Sequence, residues 1–434
     1  DRNMMDLARD IPMFRPTIEK FVRGAPDSLL LVEFAGDELE PQLAKLKDLN
    51  TLMSDLGYPD AVVEATTGAD QSEFWNVRKS GLNIMMSMKG DGKPISFIED
   101  CAVPLEDLAE YTDRLTNVFT KHGTKGTWYA HASVGCLHVR PVVNLKEDDG
   151  ARTMRAIAEE AFEMVREYKG SHSGEHGDGI VRSEFHRPMF GDRMIANFEE
   201  VKDLFDPQGI MNPGKIVHPP KFDDRSLLRF KPGYEPLKLD TALDWSEWGG
   251  FSGAIEMCNN NGACRKFDAS VMCPSYRATL DEKHLVRGRA NTLRLALSGQ
   301  LGENAFTSEE MKETMQLCVG CKGCKRECPT GVDMSRMKTE FLHHYNRRHG
   351  LTLRDRLVVP RHRGARRPRA RHRHRGRARR RVRARLLGPA LDPGHAREPD
   401  GRRPDPPQAR HCATSRPRPR RRAPGPRSRL PGRP

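Results

Sequence analysis

"LCVGCKGCKRECPTG", residues 317–331, sets Cys318, Cys321, Cys324 and Cys328 at C-x2-C-x2-C-x3-C spacing, with Pro329 behind the last. This spacing lets three thiolates close on one cubane iron-sulfur cluster while the fourth reaches a second cluster. A structural zinc site is the competing reading, but zinc more often uses two separated C-x2-C knuckles. The flanking stretches "RGRANTLRLALSGQLG" (287–302) and "SEEMKETMQLC" (308–318) have helical character. A small α-helical ferredoxin-type domain is therefore expected over 252–348.

Upstream, "EMCNNNGACRKFDASVMCPSY" (256–276) supplies Cys258, Cys264 and Cys273, again with a proline after the last. On the same template Asn261 stands where the second thiolate belongs. Swapped ligation would then group Cys273, Cys318, Cys321 and Cys324 on one 4Fe-4S cluster, and Cys258, Cys264 and Cys328 on another. The second set is one thiolate short. A three-iron cluster, a cubane with a non-cysteine ligand, and no cluster at all remain open for it. Two adjacent clusters suit the passage of single electrons from a two-electron donor. Seven of the ten cysteines lie in these two runs, and in reducing cytosol such runs favour metal over disulfides.

The first 220 residues alternate helical and extended patterns. "MDLARDIPMFRPTIEKF" (5–21), "DELEPQLAKLKDLNTLMSDLG" (37–57) and "LEDLAEYTDRLTNVFTKHG" (105–123) have helix-period apolar positions. "SLLLVEFAG" (28–36), "ISFIEDCAVP" (95–104) and "GTWYAHASVGCLHVRPVV" (126–143) read as extended. The expected class is α+β, a largely antiparallel sheet with helices on one face. Residues 221–251, with "KPGYEPLK" and two tryptophans, read as a wrapping linker.

Charge separates the tail from the rest. Residues 358–434 hold 26 arginines against 4 acidic residues, so of the chain's net +14 the first 357 residues contribute about −8. The tail has 14 prolines and no Lys, Ile, Met, Phe, Tyr, Trp or Asn. Such a composition cannot bury a core, so disorder is expected. The restriction to Arg, Pro, Ala, Gly and His also matches a GC-rich gene read out of frame. A nucleic-acid arm is the other reading, but the acidic body speaks against a polyanion partner. No signal peptide or membrane-spanning apolar run is visible. A cytoplasmic location is expected, with peripheral contact at the inner face of the plasma membrane as its variant.

Between the helices lie two histidine-bearing loops, "HASVGCLH" (131–138) and "SGEHGDGIVRSEF" (173–185). Two imidazoles and a carboxylate suit a borderline divalent metal and leave a position open for substrate. His131, His138 and Glu175 are the candidates. By spacing alone, such residues are more often unrelated. His176, beside Glu175, could act as a base near neutral pH. Arg78, in "FWNVRKSG" (74–81), offers a planar fork for a carboxylate, or is simply a solvated arginine.

Together with "DPQGIMNPGKI" (206–216) and the cysteine runs, these motifs resemble the FAD-linked oxidase family of D-2-hydroxy-acid dehydrogenases, in the branch fused to a ferredoxin-type domain. That branch includes D-lactate and D-2-hydroxyglutarate dehydrogenases, and the resemblance covers about residues 1–350. It implies that residues 1–220 form a ferredoxin-like cap over the flavin ring. It also implies that His131, His138 and Glu175 bind Zn or Mn, that His176 takes the hydroxyl proton and that Arg78 holds the substrate carboxylate. Asn212, Gly214 and Lys215 of "NPGK" match the motif that closes the cap near the flavin. The implied reaction oxidises a D-2-hydroxy acid, D-lactate foremost, and passes electrons through the clusters to a cytochrome, a quinone or an electron-transfer flavoprotein. One departure is visible. Many relatives read H-x-G-D-G-N-x-H where this chain has Ser133, Val134 and Cys136, which alters hydrogen bonding to flavin or substrate. Nothing before residue 100 resembles a glycine-rich FAD loop, so the FAD-binding domain is expected on a segment outside this sequence, and this chain alone is expected to bind iron-sulfur without turning over hydroxy acid. The other reading is an electron-transfer subunit that pairs with a separate flavoprotein.

Overall fold

The fold was analysed in a computed structural model, which describes residues 1–358. The arginine-rich tail expected to be disordered lies outside the described residues.

Helices form where expected at 37–57 and 105–123, as Leu39–Asp55 and Leu108–Lys121, neither with a side-chain cap, and others form that the sequence pattern did not single out. Thr67 caps helix Gly68–Lys79 by accepting the Asp70 amide at 3.2 Å, and Ser308 does the same for Glu309–Gln316 from Met311. Asp148 and Asp149 open helix Asp148–Glu167, where carboxylates oppose the positive end of the helix dipole. The stretch 5–21 divides into helices Arg2–Asp10 and Arg15–Phe21. Pro12 sits in the break, and Pro16 opens the second helix, where its missing amide costs nothing.

The extended segments depart further from expectation. Six short strands form, β1 (Lys93–Pro94), β2 (Cys101–Ala102), β3 (Gly126–Thr127), β4 (Ala130–His131), β5 (Cys136–Leu137) and β6 (Arg140–Val143). They pair antiparallel into two three-stranded sheets, ordered β1-β6-β3 and β2-β5-β4, where one larger sheet was expected. The loop 132–135 divides the 126–143 run into pieces too short to build a wide ladder. Residues 28–36, expected as a strand, form none, and Leu29, Leu30, Leu31 and Val32 are exposed. No strand lies alongside to pair with that backbone, and apolar side chains alone do not satisfy its amides.

One core joins Phe97, Ile98, Cys101 and Val103 to Leu115 and Phe119 of helix Leu108–Lys121 and to Ile157, Ala161, Phe162 and Val165 of helix Asp148–Glu167. A second core, built on helices between Phe251 and His349, encloses Cys258, Cys264, Cys273, Cys324 and Cys328. Residues 221–251 run between them without a long element. Phe222 plugs the first core, while Leu239, Leu243 and Trp245 pack on the second core. Buried Glu340 pins this strap by accepting the amides of Ala242 and Leu243 and the Trp245 indole N–H, at 2.8–2.9 Å. The cores also meet directly. Lys146 Nζ pairs with Glu256 at 2.6 Å, and Asn259 donates to Asn83 at 3.0 Å.

Candidate metal and cluster sites

Strand β4 ends on His131, and β5 leads directly into His138. Gly135 turns the loop between them at φ +68°, and a Cβ there would meet the Val103 carbonyl oxygen at 2.0 Å. Only glycine fits such a turn. Opposite, loop 173–177 is held by the buried carboxylate of Asp100, which accepts the amides of Glu175 and His176 at 2.9 and 2.8 Å and the Ser173 hydroxyl at 3.1 Å. Burial alone would raise that carboxyl. The two amides outweigh burial and hold it below its usual range.

Residues 37 and 44 apart in sequence thereby converge. Glu175 Oε1 lies 2.9 Å from His138 Nε2 and 3.2 Å from His131 Nε2. His138 is buried, its rings-and-neighbours environment includes the stacked ring of His176 at 4.8 Å, and burial followed by the charge of His176 lowers its pKa. A neutral imidazole is the ligand form. Asp100 and Cys136 also lie close behind Glu175. The Asp100 oxygens are spent on amides, and burial with Asp100 beside it pushes the Cys136 thiol up to about 12, so neither competes as a ligand. The donor set of His131, His138 and Glu175 fits a divalent metal in its atom types and spacing.

Arg78 and His176 complete the constellation. The Arg78 guanidinium stacks 3.8 Å from the Tyr129 ring centre, and its Nη2 is 3.4 Å from His131 Nδ1. An arginine can only donate, so this contact keeps the His131 ring proton on Nε2, facing Glu175. His176 is 3.5 Å from Glu175 and 3.9 Å from Glu99. Glu99 is itself paired with buried Arg140. Asn212, Gly214 and Lys215 lie elsewhere. Lys215 reaches Asn212 at 3.4 Å, Gly214 turns at φ +72°, and among the described residues no hydrogen bond or ion pair joins them to the histidines.

In the second core, Cys273, Cys318, Cys321 and Cys324 line a single cavity, together with Arg289. Buried Arg289 binds the carbonyls of His284 and Thr314 at 2.6 and 2.9 Å and points Nη1 at Cys273 Sγ, 3.9 Å away. Four thiols around one cavity with a buried cation suit an anionic cluster. Cys258, Cys264 and Cys328 group apart from these, near enough for their charges to act on one another. Asn261 is turned away, its amide engaged with Asn259 and Ala263. Burial pushes Cys264 up to about 11 and Cys324 up to about 12, so cluster assembly must expel protons.

Residues 1–216 match the family of FAD linked oxidases, C-terminal domain, and residues 254–332 match the 4Fe-4S dicluster domain. The chain belongs to the FAD-linked oxidases that carry a 4Fe-4S dicluster domain. The chain is 30% identical over 407 residues to a D-2-hydroxyglutarate dehydrogenase of Pantoea ananatis, covering 83% of this chain and 39% of that protein. The D-2-hydroxyglutarate dehydrogenase of Escherichia coli matches to the same extent, 30% over 410 residues. A D-lactate dehydrogenase of Archaeoglobus fulgidus is 28% identical over 199 residues, 46% of this chain and 41% of that protein. The chain thus spans about two fifths of the length of these relatives. No helix among the described residues is long and apolar enough to cross a membrane.

Sequence reasoning missed Asp100, Arg289 and Glu340. Each is a single charged residue in a run with no spacing pattern, so nothing short of the fold reveals what it faces.

Proposed function

We propose that this chain is the cap and electron-transfer portion of a FAD-dependent D-2-hydroxy-acid dehydrogenase. In this reading residues 1–220 are a ferredoxin-like cap, 221–251 a linker and 252–348 the cluster domain. The observation that supports it most is the meeting of His131, His138 and Glu175 with Arg78 and His176 on one half-exposed face. The relatives that match across both domains are D-2-hydroxyglutarate dehydrogenases, so D-2-hydroxyglutarate is the first substrate to test, with D-lactate as the alternative.

When bound, a zinc or manganese ion would polarise the substrate hydroxyl, the flavin would accept the hydride, and 4Fe-4S clusters would relay single electrons to a cytochrome- or quinone-linked acceptor. The chain's own residues do the rest. Arg78 binds the substrate carboxylate through its fork. Ligation through His131 Nε2 places that ring's proton on Nδ1, where Arg78 cannot donate, so a filled site frees Arg78 for substrate. His176, held by its amide to Asp100, takes the hydroxyl proton as the 2-oxo acid forms. Cys273, Cys318, Cys321 and Cys324 hold one cluster. Asn212, Gly214 and Lys215 stand beside an exposed apolar edge of Leu204, Phe205 and Ile210, a surface suited to an FAD-binding partner domain or flavoprotein. The working place is the cytoplasm or the inner membrane face.

The test is turnover by this chain assembled with a FAD-binding portion, using D-2-hydroxyglutarate and D-lactate with an artificial acceptor. Oxidation of either D acid, sensitive to Arg78→Ala, supports the proposal. Flavin bound and clusters assembled but no oxidation of either acid would leave only the electron-transfer subunit, which co-purification with a separate flavoprotein would identify.

A further inference from the structure

Behind the loop that carries Glu175 and His176 lies a second set of metal-type side chains. His172 and Asp178 bracket the loop in sequence, and His186 comes from helix His186–Phe190. Asp178 Oδ1 is 3.1 Å from His172 Nε2, and Oδ2 is 3.2 Å from His186 Nε2. The three ligand atoms all lie within 4.8 Å of one another. Both histidines are at least 98% buried, against the rings of Phe162, Phe190 and Phe198.

These close contacts are not hydrogen bonds. Neither His172 Nε2 nor His186 Nε2 has an aligned partner, although both are buried. Groups of this kind are rarely left unsatisfied in a folded protein. His186 is also committed on its other side, where Nδ1 lies 3.2 Å from the Ile216 carbonyl oxygen and must donate to it. A neutral His186 therefore aims an Nε2 lone pair toward a carboxylate. Two negative ends 3.2 Å apart need a cation between them. Protonating both rings would place two charged imidazoles in a phenylalanine shell against a single carboxylate, with N–H bonds that miss it. One divalent ion satisfies both Nε2 atoms and the Asp178 carboxylate at once. For His186 the Nδ1–H···O=C bond is the outer contact that fixes a ligating histidine, while His172 Nδ1 is buried without a partner among the described residues.

We propose that His172, Asp178 and His186 bind a second divalent transition metal of the zinc type, which clips the 173–177 loop to the helix behind it. Asp178 retains 22% of its side-chain exposure, so a water can complete the four-coordinate shell. The role is positional, since among the described residues no hydrogen bond, ion pair or ring contact joins His172, Asp178 or His186 to His131, His138, Glu175, His176 or Arg78. The inference uses none of the residues assigned to the reaction and stands independently of that assignment.

Cobalt(II) tests it, in the chain with its clusters assembled anaerobically so that the thiolates are occupied. Two equivalents of cobalt are expected. His131→Ala/His138→Ala should keep one, with the d–d bands of a nitrogen and oxygen site, and His172→Gln/His186→Gln should keep only the other. If the His172→Gln/His186→Gln chain retains both equivalents, or if His131→Ala/His138→Ala retains none, the site does not exist. Should the substitutions disturb folding, crystals of the unaltered chain grown with zinc decide the matter. An anomalous peak at the zinc edge between His172 and His186 supports the site, and its absence beside a filled His131 and His138 site overturns it.

Discussion

The two ligand sets of this chain are presented in opposite ways. In the cap, His131, Glu175 and His176 each keep more than 40% of the side chain exposed. In the helical domain, Cys258, Cys264, Cys273, Cys324 and Cys328 are exposed by 9% or less. A metal that takes a substrate needs an open face, whereas dry, packed surroundings tune and protect an electron carrier. The N-terminal region therefore holds His131 and Glu175 on an open face of loops and two-residue strands, with buried His138 behind them. The helical domain instead buries five of its seven clustered cysteines and leaves Cys318 half-buried and Cys321 exposed.

The largest effect that could break this comparison is on iron. Cys324→Ser should remove about four iron per chain, the content of one cubane, while the metal in the cap is retained. Unchanged iron and acid-labile sulfide would show that the cavity holds no cluster. Next in size is His176→Gln, expected to lower kcat about 10²- to 10⁴-fold in the assembled enzyme, the usual loss for a general base. Metal content should stay the same. A fall confined to KM would reassign His176 to binding.

Asp100→Asn should sharpen the contrast by loosening only the loop side. Outer contacts of this type are worth about 10- to 100-fold in metal affinity, readable by chelator competition, with no change in the iron of the helical domain. The smallest effect belongs to the strap. Glu184 accepts Arg155 at 2.8 Å, Lys221 at 3.0 Å and the Phe222 amide at 2.6 Å. Burial opposes its ionisation, but Arg155 and the Phe222 amide prevail and hold its pKa below the usual carboxylate range. A depressed folded pKa means that the stability is present above the unfolded pKa, near 4.3, and is lost as pH falls through the lower folded value. Glu184→Gln should cost about 1–3 kcal/mol at pH 7. Its melting temperature should also fall less than that of the unaltered chain between pH 6 and pH 3. Parallel pH profiles would show that Glu184 contributes nothing to docking the strap.

What the sequence disclosed follows the same division. Cysteine spacing is a local signal for Cys318, Cys321 and Cys324, and these three line one cavity together with Cys273, which the fold brings in from the upstream run. Several helices were legible from apolar period, but Gly68–Lys79 and Asp148–Glu167 were not singled out. Strands of two residues have no period to read, and the run at 28–36 shows that apolar composition does not make a strand without a neighbour. In the cap, the convergence of His131, His138 and Glu175 was legible from the resemblance rather than from spacing. Asp100, which sets the loop, carries no motif of its own. The pair His172 and His186 escaped notice for another reason, since the two stand just outside either end of the 173–185 motif, which was read for Glu175 and His176, and His186 opens a helix that looks ordinary.

The turn between His131 and His138 also has a consequence for how this chain can vary. Val134 is 68% exposed, and its neighbour Gly135 has a carbonyl oxygen where any side chain would begin. A saturation library across these two adjacent codons would accept nearly everything at the first and only the parental residue at the second. Between the two histidines, then, one position is free to vary while the next is closed to change.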